Sequence, residues 1–105
     1  MMENHDSIFE FSDLLYFSDS DVITVLKEID NVTLLTACQG SDVALIWRIA
    51  SVLSETAREY FFEDLNQFAF CSMESVEFNR TTIQSIMDSL YYSGKLEFYA
   101  LKIGA

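Results

Sequence analysis

Two adjacent carboxylates, Glu63 and Asp64, stand in the stretch SETAREYFFEDLNQF at residues 54–68, with Glu55 and Glu59 upstream. Paired carboxylates perform general acid–base and glycosidase chemistry, which needs both acids on one reacting bond. Immediate neighbours on a helix point about 100° apart, so this pair is poorly placed to share a site. His5 is the only histidine and lies in a polar N-terminal stretch where disorder is expected. Cys38 and Cys71 have no CxxC partner and no histidine-rich neighbourhood. They read as small buried side chains in a reducing compartment rather than as zinc ligands. The three glycines form no phosphate loop. No local pattern calls for a cofactor, a metal or an enzyme. A small enzyme would need carboxylates converging from different helices.

The elements that position these acids are announced by small polar residues before apolar runs. In FEFSDLLYF (residues 9–17), Ser12 precedes a short apolar helix. Ser18 with Asp21 three residues on is a capping-box variant, and Val22, Val25, Leu26 and Ile29 then form one helical stripe. Asn31 is the expected cap of a third helix, VTLLTAC, ended by Gly40 in a left-handed position. Ser41 opens SDVALIWRIASVL and Ser54 opens the acidic segment. Ser72 opens the longest helix, whose buried side is Val76, Ile83, Ile86, Met87 and Leu90, stopped at Gly94. The expectation is an all-α, compact single domain of about six short helices over residues 8–98. Tails are expected at 1–7 and 99–105.

The totals agree with one such domain. The chain has 105 residues, 50% hydrophobic and 14% aromatic, with no Pro. That length buries roughly two-thirds of the unfolded surface, enough for a core without staples. Proline absence and few glycines disfavour a turn-rich β fold. A net charge of −11 repels phosphate backbones and anionic membranes, and the six bases do not cluster, so nucleic acid is not an expected partner. The N-terminus lacks the basic and apolar regions of a signal peptide, and no apolar run approaches the ~20 residues of a membrane span. A cytosolic protein is expected.

On a helical wheel of the acidic segment, Ala57, Phe61, Leu65 and Phe68 share one side, flanked by Tyr60. Glu55, Glu59, Phe62, Glu63 and Asn66 fall on the far side, and Asp64 sits at the edge of the apolar stripe. A solvated face accounts for the acids; Phe62 among them is instead a candidate anchor for a partner, since aromatics dominate interface energetics. In VALIWRIASVL, Ile46 and Trp47 cannot share the stripe of Leu45, Ile49 and Leu53. That helix is either buried all round or presents a sticky face.

These segments carry a resemblance. IFEFSDLLYFSDSDVITVLKEID, LLTACQGSD, SETAREYFFEDL and SGKLEF together resemble the C-terminal six-helix subdomain of the flagellar motor switch protein FliG, ungapped from about Ile8 to Phe98. IFEF at 8–11 resembles the family's Met-Phe-x-Phe hinge motif, and ACQGSD its ALKGA element. The resemblance implies a subdomain at the rotor rim, where one charged helix meets the cytoplasmic loop of the stator protein MotA and transmits torque. Glu63 and Asp64 match the family's adjacent acidic pair on that helix, with Glu59 beside them.

The departures from the family pattern bear on function. Gln39 stands in place of a Lys, Thr56 and Ser72 in place of Arg, and Ala69-Phe70 in place of a Gly-Pro turn. Ile46, Trp47 and Phe62 occupy positions where the family carries charges. The family's ring-docking N-terminal domain and its armadillo-like domains, which hold FliM, have no counterpart in these 105 residues. Such a chain needs another partner or does a different job. The reading is a non-enzymatic interaction module of the rotor type, contacting a basic MotA-like stator loop through Glu59, Glu63 and Asp64. Its alternative is a stand-alone adaptor of a flagellar or type III secretion apparatus, binding through Ile46, Trp47 and Phe62. A third is a paralogue without a partner, whose apolar patch self-associates.

Overall fold

The computed structural model describes residues 7–68 and 70–97. His5, Ala69 and the expected C-terminal tail lie outside them. A 3₁₀ helix at Phe11–Tyr16 leads into five α-helices: α1 (Asp19–Leu26), α2 (Asn31–Ala37), α3 (Val43–Ser51), α4 (Glu55–Gln67) and α5 (Met73–Tyr92). The all-α class and the six elements agree with the sequence. The Cα radius of gyration, 13.7 Å, is that of one compact unit of this size, for which about 13 Å is typical.

Three serines start helices as their positions imply. Ser18, Ser54 and Ser72 accept from the backbone N–H groups of Asp21, Ala57 and Ser75 at 3.1, 3.2 and 3.1 Å. Each satisfies a donor that has no partner inside its own helix. Three starts differ from expectation. The cap of α2 is Asp30, not Asn31, and its carboxylate accepts from Thr33 N–H at 2.8 Å. A charged acceptor suits the positive end of a helix better than an amide does. That backbone hydrogen bond also holds the Asp30 carboxyl below the usual aspartate range. The N-cap position of α3 is Asp42 rather than Ser41; the Asp42 carboxylate makes no capping hydrogen bond, and the Ser41 hydroxyl accepts from Arg80. The first helix likewise begins after Glu10 instead of Ser12, and Glu10 N–H donates to the Asp13 carboxylate at 2.9 Å.

Helix ends follow the glycines. Gly94 has φ +78°, and the N–H groups of Gly94 and Lys95 donate to the carbonyls of Tyr91 and Leu90 at 3.0 and 2.9 Å. This paired closure needs a left-handed residue, which glycine adopts without strain.

Helix α5 is the spine. It packs on α2, the 3₁₀ helix and α1, and the 3₁₀ helix packs in turn on α3. Leu14, Val22, Val25, Ile49, Ile83 and Met87 are fully buried between these elements. Phe9, outside any helix, is buried with its ring edge-on to Phe17 and Tyr91 at 5.2 and 5.7 Å. Ser7, expected as the last residue of the tail, donates its hydroxyl to the Asp88 carboxylate at 2.8–2.9 Å. At the other end, Glu97 N–H donates to the buried Asp21 carboxylate at 2.9 Å.

The arginines fasten helix ends. Arg80, on α5, donates to the carbonyls of Ala37 and Gln39 at 2.8 and 2.6 Å. Arg58, on α4, donates to Ala50 and Leu53 carbonyls at 3.0 and 3.2 Å. Arg48 donates to the Phe17 carbonyl at 2.7 Å and pairs with Asp19 at 2.7 Å. A planar guanidinium can serve two acceptors at once, and cations suit the negative ends of helices. The sequence shows these residues as bases; their role as internal braces appears only in three dimensions.

Candidate protein-interaction surface

Helix α4 is the least embedded of the long elements. Phe61 is its only fully buried residue, and its main neighbour is α3. Burying that ring supplies about 2–3 kcal/mol. The two arginine hydrogen bonds to the end of α3 add to the attachment. Ala57, Arg58, Phe62, Asp64, Leu65 and Phe68 are half-buried around Phe61. The inward arc therefore runs from Asp64 at one edge to Phe62 at the other.

That arc corrects the wheel. Phe62 does not stand among the acids on the far side; it is half-buried against α3. Tyr60, expected at the flank of the apolar stripe, is 62% exposed. The outward face carries Glu55, Thr56, Glu59, Tyr60, Glu63, Asn66 and Gln67. Glu55, Glu59 and Glu63 follow one another at i,i+4, a spacing that stacks like charges and costs the helix about 0.2–0.5 kcal/mol per pair. The Arg48–Asp19 and Arg80–Glu77 ion pairs of the described residues leave this face out. Arg58, the one base on α4, is turned inward to the α3 carbonyls.

Asp64 departs from its neighbour. Glu63 is exposed, whereas Asp64 lines a groove of about 340 Å³ with Leu26, Ile29, Leu34, Leu53 and Tyr60. The two carboxylates thus serve different surfaces, consistent with the poor geometry expected of adjacent residues. Among the described residues, no group of three His, Cys, Asp or Glu side chains is arranged to hold a metal ion.

On the opposite edge of α4, Trp47 of α3 packs on Phe62 with ring centroids 4.8 Å apart and planes tilted by 51°. Trp47 nevertheless remains 55% exposed. Ile46 is half-buried against the core. Of the three expected patch residues, two make a surface aromatic pair and the third mainly seals the core. Helix α3 is accordingly neither buried all round nor sticky along its length. Cys38 is buried, and desolvation pushes its thiol up to about 12, only partly countered by Arg80. That fits the buried role expected of it, and Cys71 is half-buried.

The fold and this surface are those of an all-helical domain that displays one acidic helix at its side. Residues 2–98 match the model of the FliG C-terminal domain family, and the chain belongs to that family. It is 27% identical over 92 residues to the flagellar motor switch protein FliG of Aquifex aeolicus strain VF5, covering 88% of this chain and 28% of that protein. The chain therefore spans under a third of that relative's length. The structure of full-length FliG from Aquifex aeolicus superposes with a TM-score of 0.78 at 28% identity, over 85% of this chain and 28% of that one. A crystal structure of FliG residues 116–343 from H. pylori shares the fold at a TM-score of 0.80 and 24% identity, over 85% of this chain and 39% of that one. No helix of the described residues is long and apolar enough to cross a membrane.

Proposed function

We propose that this domain is a non-enzymatic interaction module of the flagellar rotor and switch type, working at the cytoplasmic side of the basal body. It meets a basic partner loop, of the kind a MotA-like stator offers, through the outward acids of α4. Glu59 and Glu63 are the central contacts, with Asp64 at the margin. The observation that carries this reading is the separation of charge. All three arginines are engaged with carbonyls inside the fold, while three glutamates share one exposed face at a cost to their own helix. Single surface pairs are worth only ~0–1 kcal/mol. The acids would therefore act together, setting charge selectivity and encounter rate more than affinity.

A second reading has its own support in the exposed Trp47 ring stacked on Phe62. There the domain is a stand-alone adaptor that binds an apolar surface of a flagellar or type III secretion component, without transmitting torque. Charge reversal separates the two. The double variant Glu59→Lys, Glu63→Lys should slow and weaken binding to a basic stator-loop peptide at low salt and leave helical content intact. Unchanged binding there, with loss in Trp47→Ala, would transfer the site to the aromatic pair.

A further inference from the structure

We infer that the groove between α4 and the α1–α2 pair is a docking slot for an apolar side chain of a cationic amphipathic helix. It deepens the proposal that α4 faces a basic partner, and rests on it. The groove exists because α4 leans on α3 rather than on α1 and α2. Its walls are apolar: Leu26 at the end of α1, Ile29 in the turn after it, Leu34 on α2, and Phe61 on α4. Its volume, about 340 Å³, lies at the low end of the range for small-molecule sites. That suits one or two side chains better than a cofactor.

Charge selects the occupant. No residue lining the groove is basic, and its one ionisable carboxylate is Asp64. Glu63, the next residue, opens onto the exposed acidic face of the same helix. A partner helix lying along this edge of α4 meets apolar walls and then carboxylates within one side chain's width. The complement is a Leu- or Ile-type residue with Lys or Arg one helical turn away, the helix-in-groove mode of recognition. The apolar residue would supply affinity and the bases orientation. An anionic or purely polar segment gains nothing there, because Asp64 repels the first and the walls desolvate the second. The slot lies on the opposite edge of α4 from Trp47 and Phe62, so the two apolar features are separate sites.

The test uses two synthetic helical peptides of equal charge, one with Leu at two positions four apart facing the groove and Lys beside them, the other with both Leu replaced by Ala. Binding is followed by methyl NMR of the full chain. The Leu peptide should shift the methyls of Leu26, Leu34, Leu53 and Ala57, and bind at least about tenfold more tightly than the Ala peptide. Ala57→Phe, which fills the slot, should remove that preference while leaving the weaker charge-driven binding in place. Circular dichroism, expected unchanged, is the control that this variant folds. Asp64→Asn should weaken the Leu peptide with no change in fold. Equal binding of the two peptides, or a response confined to Trp47 fluorescence with no shift of the groove methyls, would overturn the slot while leaving the acidic face standing. Binding of neither peptide would overturn both.

Discussion

Replacing Glu59 by Lys should stabilise the domain while weakening its hold on a basic partner. Glu59 sits between Glu55 and Glu63 at i,i+4 on the exposed face of α4. The substitution removes two repulsive pairs and creates two attractive ones, with Glu55 N-terminal to the new Lys in the more favourable order. At about 0.2–0.5 kcal/mol per pair, the four changes together give about 1 kcal/mol at low salt. For a domain of this size that corresponds to a rise in Tm of roughly 4–8 °C. Net charge moves from −11 to −9, which acts in the same direction by easing self-repulsion. Urea and thermal unfolding followed by circular dichroism read the stability, and titration with a basic loop peptide reads the binding. The electrostatic origin has its own control. In 1 M salt the Debye length falls to about 3 Å, so most of the gain should vanish. A destabilised variant, or a gain unchanged by salt, would refute the picture of an acidic face kept at a cost to the helix.

Other perturbations probe the frame. Phe61→Ala should cost about 3–5 kcal/mol by opening a cavity under α4, measured by urea unfolding. Arg80→Ala strands the carbonyls of Ala37 and Gln39 and should cost about 2–4 kcal/mol, and Arg80→Lys should recover less than half of it, because an ammonium lacks the planar fork that serves both acceptors. Cys38 should resist a thiol reagent at pH 8, with labelling that accelerates only on unfolding. Its thiol is favoured neutral in the fold, so its contribution is complete below the unfolded value of 9.0 and is lost as pH rises from there toward about 12. Asp30 acts in the opposite sense: its carboxylate caps α2, so its contribution is present above 3.8 and is lost as pH falls below that value. Asp30→Ala should therefore flatten the acid limb of the stability profile. Acrylamide should quench Trp47 readily in the monomer, and more readily still in Phe62→Ala, which removes its stacked neighbour.

Sequence periodicity exposed the class of fold and nearly every helix because start signals and apolar stripes are local. Ser18, Ser54 and Ser72 are caps whose partners lie three residues away, within reach of simple counting. The misplacements share a cause. Asp30 and Asn31 are both competent caps, and only the path of the chain decides between them. Ser41 instead accepts from Arg80, 39 residues distant. A wheel centred on Phe61 puts Phe62 in solvent because it carries no information that α3 lies to one side. The arginine braces were illegible for the same reason, since their acceptors are backbone carbonyls, which have no sequence signature. Of the candidate surface, the acids were legible as a face. Asp64's turn into a groove depends on where α1 and α2 stand.

The clasps at the two ends of the described chain have a mechanical consequence. Ser7 is held to Asp88 and Glu97 to Asp21, and α1 packs on α5, so both ends leave the domain from one corner. Tension between those ends would act first on these few hydrogen bonds and on the α1–α5 contact. Helices α3 and α4 lie off that line of pull. A sideways push on α4 would instead pass through α3 and the 3₁₀ helix into α5. Under the proposed function, the domain would act as a short crank, held at that corner and pushed at α4.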